Sequence, residues 1–195
     1  IETVGGTATA SVTYAIAPSI TQISPATVPL SGAAVTVPGS GLTGASVAVS
    51  GTGSGVTNVV VAQDGTSLTF TAPQRSAGNV TVTVTANSLT ATSPLTYVAA
   101  PTVSSLDVTT VATVGGTVVT ATGTGFDGAD LAVSVGGTAL TADTANPPAT
   151  GKYKVVNATT LKFAVPETPN AGAQNVTIET VGGTATASVT YAIAP

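Results

Sequence analysis

The side chains with chemistry to offer are few, and most of them sit in the second half of the chain. Asp127, Asp130 and Asp143 lie near one another in sequence, and calcium binds through carboxylate oxygens. They are a calcium candidate, although the run Asp127-Gly-Ala-Asp130 falls in a turn and lacks the dense ligand spacing of a dedicated loop. Solvated turn residues are the plainer reading. Lys152, Lys154 and Lys162 are the only lysines. A Lys–Asn isopeptide cross-link with an acidic catalyst is one use for them, and an edge hairpin charged against aggregation is the other. Asn79-Val-Thr, Asn157-Ala-Thr and Asn175-Val-Thr match the glycosylation sequon, but a Thr-rich chain produces such matches by chance. Tyr153 stands in the Pro-containing stretch TADTANPPATGKYKVVN from Thr141 to Asn157. It is the aromatic candidate for a ligand contact, with an interdomain or packing loop as the alternative. The other three tyrosines, Tyr14, Tyr97 and Tyr191, read as packing residues near domain ends, each with its hydroxyl in water.

What is missing excludes more. The 195 residues contain no His, Cys, Met or Trp. Without His there is no Ser–His pair and no ordinary base near neutral pH. Without His and Cys there are no zinc, copper or iron–sulfur ligands of the usual kind. No catalytic residue and no cofactor are therefore expected. With 4 basic against 8 acidic side chains, a net charge of −4 argues against nucleic acid, which demands a basic footprint. No apolar run approaches the ~18 residues of a membrane-spanning helix. The chain opens on Ile1 with no secretory leader, so the expectation is a mature segment or an excised window.

Charged residues are only 6%, against about 25% in ordinary soluble domains. Solubility then rests on Thr, Ser, Asn and Gly, and the absence of Cys and Met leaves little for oxidants to attack. That surface suits an extracellular, secreted or cell-surface setting.

The elements behind these residues come from repetition. Ile1 to Pro18 read IETVGGTATASVTYAIAP, and Ile178 to Pro195 repeat all 18 letters, an offset of 177 residues. A weaker repeat lies inside that period. GSGLTGASVAVSG from Gly39 matches GTGFDGADLAVSVGG from Gly123, SLTFTAP from Ser67 matches TLKFAVP from Thr160, and LTYVAAP from Leu95 matches VTYAIAP from Val189. The punctuation predicts domains at 18–100 and 101–195, with 1–17 as the C-terminal hairpin of a preceding repeat. A hairpin of that kind is marginal alone in water, so its apolar face implies a neighbouring copy as support.

Alternation of apolar residues with Thr and Ser predicts strands throughout. In the first unit Val35, Val37, Val47, Val49, Val59, Val61, Leu68, Phe70, Val80, Val82 and Val84 share one core. In the second the core is Val119, Ala121, Leu131, Val133, Val135, Val155, Leu161, Phe163, Val165, Val176 and Ile178. Gly115-Gly116, Gly136-Gly137 and Gly182-Gly183 predict hairpin turns at positive φ. No stretch carries a helical stripe, and the fold class is all-β.

One order of motifs runs through the second unit and, less fully, the first. It is Pro-x-Ile/Val, Gly-Gly-Thr, Gly-x-Gly-Phe, a Val-rich strand ending in Gly-Gly, Phe-x-x-Pro, Asn-Val-Thr and a closing Thr-Tyr. The second unit shows it in VGGTVVTATGTGFDGADLAVSVGG and LKFAVP. The first has Ser31-Gly32 for the Gly-Gly and Leu42 where Phe126 stands. This order resembles the IPT/TIG family of immunoglobulin-like domains. The resemblance implies tandem immunoglobulin-like β-sandwiches, of a family found in bacterial surface proteins, beside carbohydrate-active enzymes, in receptor ectodomains and in some transcription factors. Fold does not settle function among these.

Short Pro-terminated linkers, Ala15-Ile16-Ala17-Pro18 and Val98-Ala99-Ala100-Pro101, favour extended geometry. They point to a semi-rigid, non-enzymatic spacer of a bacterial stalk, adhesin shaft or filament. Neighbouring copies of the repeat are the expected partners, with glycans or cell-surface ligands second. The alternative is a carbohydrate-binding or spacer module of an extracellular enzyme, which needs an exposed aromatic platform that 4% aromatic content scarcely provides.

Overall fold

A computed structural model describes residues 2–7, 9–11, 14–51, 55–128 and 130–193. Among them there are strands and no α-helix. A short hairpin comes first, β1 (Glu2–Thr3) with β2 (Gly6–Thr7). A first sandwich follows: β3 (Ser19–Ile20), β4 (Thr27–Pro29), β5 (Ala34–Ser40), β6 (Ser46–Val49), β7 (Thr57–Val61), β8 (Ser67–Thr71), β9 (Gly78–Ala86) and β10 (Leu89–Val98). Its two sheets run β4-β10-β9-β6 and β3-β5-β8-β7.

The second sandwich has β11 (Thr102–Leu106), β12 (Thr110–Ala112), β13 (Val118–Thr124), β14 (Ala132–Val135), β15 (Thr138–Ala142), β16 (Lys152–Asn157), β17 (Thr160–Ala164), β18 (Gly172–Thr180) and β19 (Gly183–Ala192). Here one hydrogen-bonded order runs β11-β13-β17-β16-β15-β14-β18-β19-β12. The joint is β15, antiparallel to β14 at Val135↔Thr138 and parallel to β16 at Thr141↔Lys152. The two layers are thereby stitched along one side.

Period-two alternation places the core as expected for half-buried strands. Val35, Val37, Leu68, Phe70, Val82 and Val84 are buried in one cluster, and Val47, Val49, Val61 and Val80 pack against it. In the second cluster Val119, Ala121, Val133, Val135, Leu161, Phe163, Val165, Val176 and Ile178 are buried, with Leu131 and Val155 at its margin. Val59 departs from the expected pattern and is 39% exposed. The cause is local: Asn58 takes φ 53, the register with β8 slips between Thr57 and Val60, and the bulge turns the next side chain outward.

The glycine pairs also separate. Gly136 and Gly137 take φ 57 and 81 in the β14–β15 hairpin, as a type I′ turn requires. Gly115 and Gly116 are likewise at positive φ, but they serve the passage from β12 to β13 and close no hairpin. Gly182 lies in the β18–β19 hairpin turn and Gly183 takes φ 135; Gly182 itself has no positive φ, and its lack of a side chain answers a different need, described below.

The two clusters share no residue, so each sandwich carries its own hydrophobic free energy. Phe163→Ala removes a fully buried ring and is expected to cost about 3–5 kcal/mol. Residue-resolved NMR during urea titration should show the second sandwich melting early while signals from Val35 and Phe70 keep their midpoint.

Candidate functional site

Two structural devices occur in both sandwiches, and together they hold the ends of each one. The first is built on the closing strand. Tyr97 at the end of β10 donates its hydroxyl to Pro73 O at 2.8 Å, and Tyr191 at the end of β19 donates to Pro166 O at 3.0 Å. Both rings are buried. The acceptors are the prolines of Phe70-Thr-Ala-Pro73 and Phe163-Ala-Val-Pro166, whose phenylalanines fill the same cores. The expectation of hydroxyls in water is thus corrected for these two: each is spent on a carbonyl across the sandwich. Each proline lies two residues past the end of β8 or β17, so its carbonyl stands outside the strand ladder. Burial pushes both hydroxyls above their usual titration range, with the Arg75 charge pulling Tyr97 slightly back.

The second device is built on glycine. In Gly39-Ser-Gly41-Leu42 and Gly123-Thr-Gly125-Phe126, a Cβ on the first glycine would overlap the carbonyl oxygen of Ser19 or Thr102. A Cβ on Gly41, which has φ +67, would stand 2.8 Å from Ala17 O; one on Gly125, at φ +76, 3.2 Å from Pro101 Cα. The apolar fourth residue, Leu42 or Phe126, is fully buried. The motif lets the first strand cross close, turns the chain, seats an anchor and leaves a shallow place for the incoming linker.

The far side of each linker meets the turn before the closing strand. Asn87 Nδ2 donates to Ile16 O at 3.3 Å. At the corresponding turn of the second sandwich a Cβ on Gly182 would overlap the carbonyl of Ala99. Both linkers are therefore held between the Gly-x-Gly loop and the last hairpin of the sandwich they enter. A cleft of about 560 Å³ opens beside the second junction, lined among others by Ala99, Ala100, Asp127, Asp130 and Gly182.

The structure does not bring the three candidate aspartates to one point. Asp127 and Asp130 are exposed at the junction cleft. Asp143 lines a separate hollow with Tyr153 and Lys154. Its carboxylate accepts the amides of Ala149 at 3.0 Å and Ala145 at 3.1 Å, and these bonds hold it below the usual carboxylate range. It thereby ties down the loop it opens, as Asp does in turns. Among the described residues no group of three His, Cys, Asp or Glu side chains is placed to hold a metal ion.

Tyr153 lies in the second core, 9% exposed, and its hydroxyl donates to Leu131 O at 2.9 Å. Lys152 and Lys154 lie on β16, and Lys162 pairs across from Lys154 on β17. Asn79 accepts from Thr96 Oγ1 at 2.9 Å. Sequence reasoning missed both the tyrosine–proline bonds and the linker seats. The signal for the first was present: each Phe-x-x-Pro precedes a closing Thr-Tyr or Val-Thr-Tyr by a similar distance in both units.

The family model described as "IPT/TIG domain" matches the chain twice, over residues 18–99 and 101–193. A search of curated proteins by sequence gives no match. Among solved structures, the plexin A4 extracellular region (domains 1 to 10) is 18% identical over 91% of this chain and 16% of its own, with a TM-score of 0.51. SGBP-B from a complex xyloglucan utilization locus in Bacteroides uniformis is 21% identical over 90% of this chain and 49% of its own, TM-score 0.36. A chimeric titin Z1Z2 is 17% identical over 94% and 100%, TM-score 0.33. The chain thus spans about half of the SGBP-B structure and a sixth of the plexin one. At these identities the likeness is one of fold.

The tyrosine–proline bond gives one test at neutral pH and one at alkaline pH. Tyr97→Phe and Tyr191→Phe each leave a buried carbonyl without its donor and are expected to cost about 1–3 kcal/mol, read from urea midpoints at pH 7. A raised folded value means the stabilisation is whole below the unfolded tyrosine value of about 10 and disappears as pH climbs through the folded one. Alkaline unfolding of the parent should therefore begin above about pH 10 and be blunted in the double Phe variant.

Proposed function

The chain belongs to the IPT/TIG family of immunoglobulin-like domains, present as a tandem pair, and from that premise we propose that it is a semi-rigid structural repeat of an extracellular bacterial stalk, adhesin shaft or filament. The observation that carries the reading is the likeness of the two junctions. Each linker backbone is gripped by the sandwich that follows it, through Gly41 and Asn87 at one junction and Gly125 and Gly182 at the other. A linker held on both sides transmits orientation; a free one would not. With strands of about 7–9 residues at about 3.3 Å each, two such domains advance on the order of 75 Å.

Tyr153 supports the spacer over the carbohydrate-binding alternative. Its ring packs in the core and its hydroxyl is bonded, so it offers no open face for a sugar to stack on. Domain limits of 18–100 and 101–195 are part of the same proposal, as is the assignment of 1–17 to a preceding repeat. Residues 1–17 and 178–194 are one sequence, and its tyrosine stands in two environments: Tyr14 is 91% exposed, whereas Tyr191 is 2% exposed with its hydroxyl on Pro166 O. Parts of both copies of the repeat (Ile1, Ala8, Val12, Thr13, Ala194 and Pro195) lie outside the described residues. A second copy of the 101–177 sheet placed ahead of Ile1 would give Tyr14 the pocket that Tyr191 has.

Spin labels at Thr69 and Thr186, measured by pulsed electron resonance, test rigidity. A narrow distance distribution is expected in the parent and a broad one in Gly182→Val, whose side chain must displace the Ala99 carbonyl. A broad parent distribution would remove the spacer reading. Fusing residues 101–177 ahead of Ile1 should bury Tyr14 and slow amide exchange across residues 9–16 at least about tenfold, the factor that ~1.4 kcal/mol of local protection gives.

A further inference from the structure

The two sandwiches treat one edge differently. In the second, β14 and β16 are bridged by β15, and β16, covered on that side, carries Lys152 and Lys154. In the first, the corresponding strands β6 and β7 are joined by residues 50–56, and no described strand pairs with the outer side of either. The edge of β7 reads Thr-Asn-Val-Val-Val, with Val60 63% and Val59 39% exposed. A sheet edge of this kind presents its backbone donors and acceptors as a template for another strand, and natural proteins ordinarily blunt it with charge or cover it. Here the Asn58 bulge, which takes in Val59, blunts one end, while Val60 and Val61 pair regularly with Thr69 and Leu68 of β8 and the run carries no charge.

We infer that the outer edge of β7 is a self-association surface, taken by the same edge of a second copy of this chain in an antiparallel, two-fold pair. This rests on reading the chain as a structural repeat, and it assigns the lateral contact to the first sandwich. Three observations select a second copy. From Pro18 to Ala100 the only charged side chains are Asp64 and Arg75, so two first sandwiches meet without net repulsion. The second sandwich has six carboxylates against three lysines, and its own β15 already fills the equivalent seam. The stretch Val59-Val60-Val61 is its own complement when antiparallel: centred on Val60, it sets valine against valine at every position. Such a two-fold contact closes on itself, which suits a pairing of rods side by side.

One pair of three- to five-residue edges is far smaller than the ~1,200 Å² of a specific stable interface, so association of the single chain is weak. Copies strung along a rod raise it by effective concentration, with no new contact needed.

The test uses the full 195-residue chain in sedimentation velocity from micromolar to millimolar concentration. The parent is expected to shift reversibly toward dimer at the upper end. Val60→Lys and Val60→Glu each place like charges opposite one another across the two-fold and should remain monomeric, with melting temperatures near the parent's because Val60 is exposed. An equimolar mixture of the two should associate again, since opposite charges then face each other. Lys154→Ala, on the covered edge of the second sandwich, should associate like the parent. A parent that is monomeric throughout, or a Val60→Lys chain that still dimerises, overturns the inference. The spin-label distances are read on the same monomers, so a rigid pair without dimers would leave the spacer standing and remove only this surface.

Discussion

Backbone lying directly against backbone, where no Cβ can stand, is the constraint on which this structure depends. Ser19 and Thr102 carbonyls press on Gly39 and Gly123, the Ala72 carbonyl on Gly32, and the Ala99 carbonyl on Gly182. Each contact brings a first strand, a crossover or a linker nearer than side chains would allow. Glycine carries an entropic cost when ordered, and this chain has 22 of them. Where they serve close approach they shorten the distance between layers and between domains, and small Val, Ala and Thr side chains can then fill what remains. The closing tyrosines complete the arrangement by tying the last strand of each sandwich to the exit of its Phe-x-x-Pro segment.

A surface with so little charge must find its specificity elsewhere. The few ions present act locally. Asp143 organises the loop it opens through two amides, and Asp64 does the same for Thr66 at 3.1 Å. Arg75 reaches back to Val49 O at 3.0 Å. Long-range steering is weak in such a molecule, so the assembly proposed above rests on strand edges and on seats for the linker.

Much of the fold was legible in the sequence because alternation with period two is forced by the pleat. Val35, Val37, Leu68 and Phe70 were identifiable as core from that spacing alone, as were the units that share it. Val59 was not, because a bulge at Asn58 depends on that residue's tolerance of positive φ within a particular pairing, and alternation carries no mark of it. Gly182 does lie in the β18–β19 turn that the glycine pair predicts, but its contact with Ala99, far away in sequence, is encoded by no local pattern. Tyr153 looked like a loop aromatic because the inserted stretch is polar and rich in Pro, whereas β16 forms inside it and carries the ring into the core. The tyrosine–proline bonds were half visible: both partners stood out as motifs, but pairing them needs the sheet order.

With the linker held on two sides by the sandwich it enters, the proposed spacer requires the two domains to move as one body. Residual dipolar couplings of the weakly aligned chain test it most directly, by comparing the alignment tensors of the first and second sandwiches. One shared tensor, equal in magnitude and orientation within error, is expected. Two tensors of clearly different magnitude would mean that the domains tumble separately, and would contradict it.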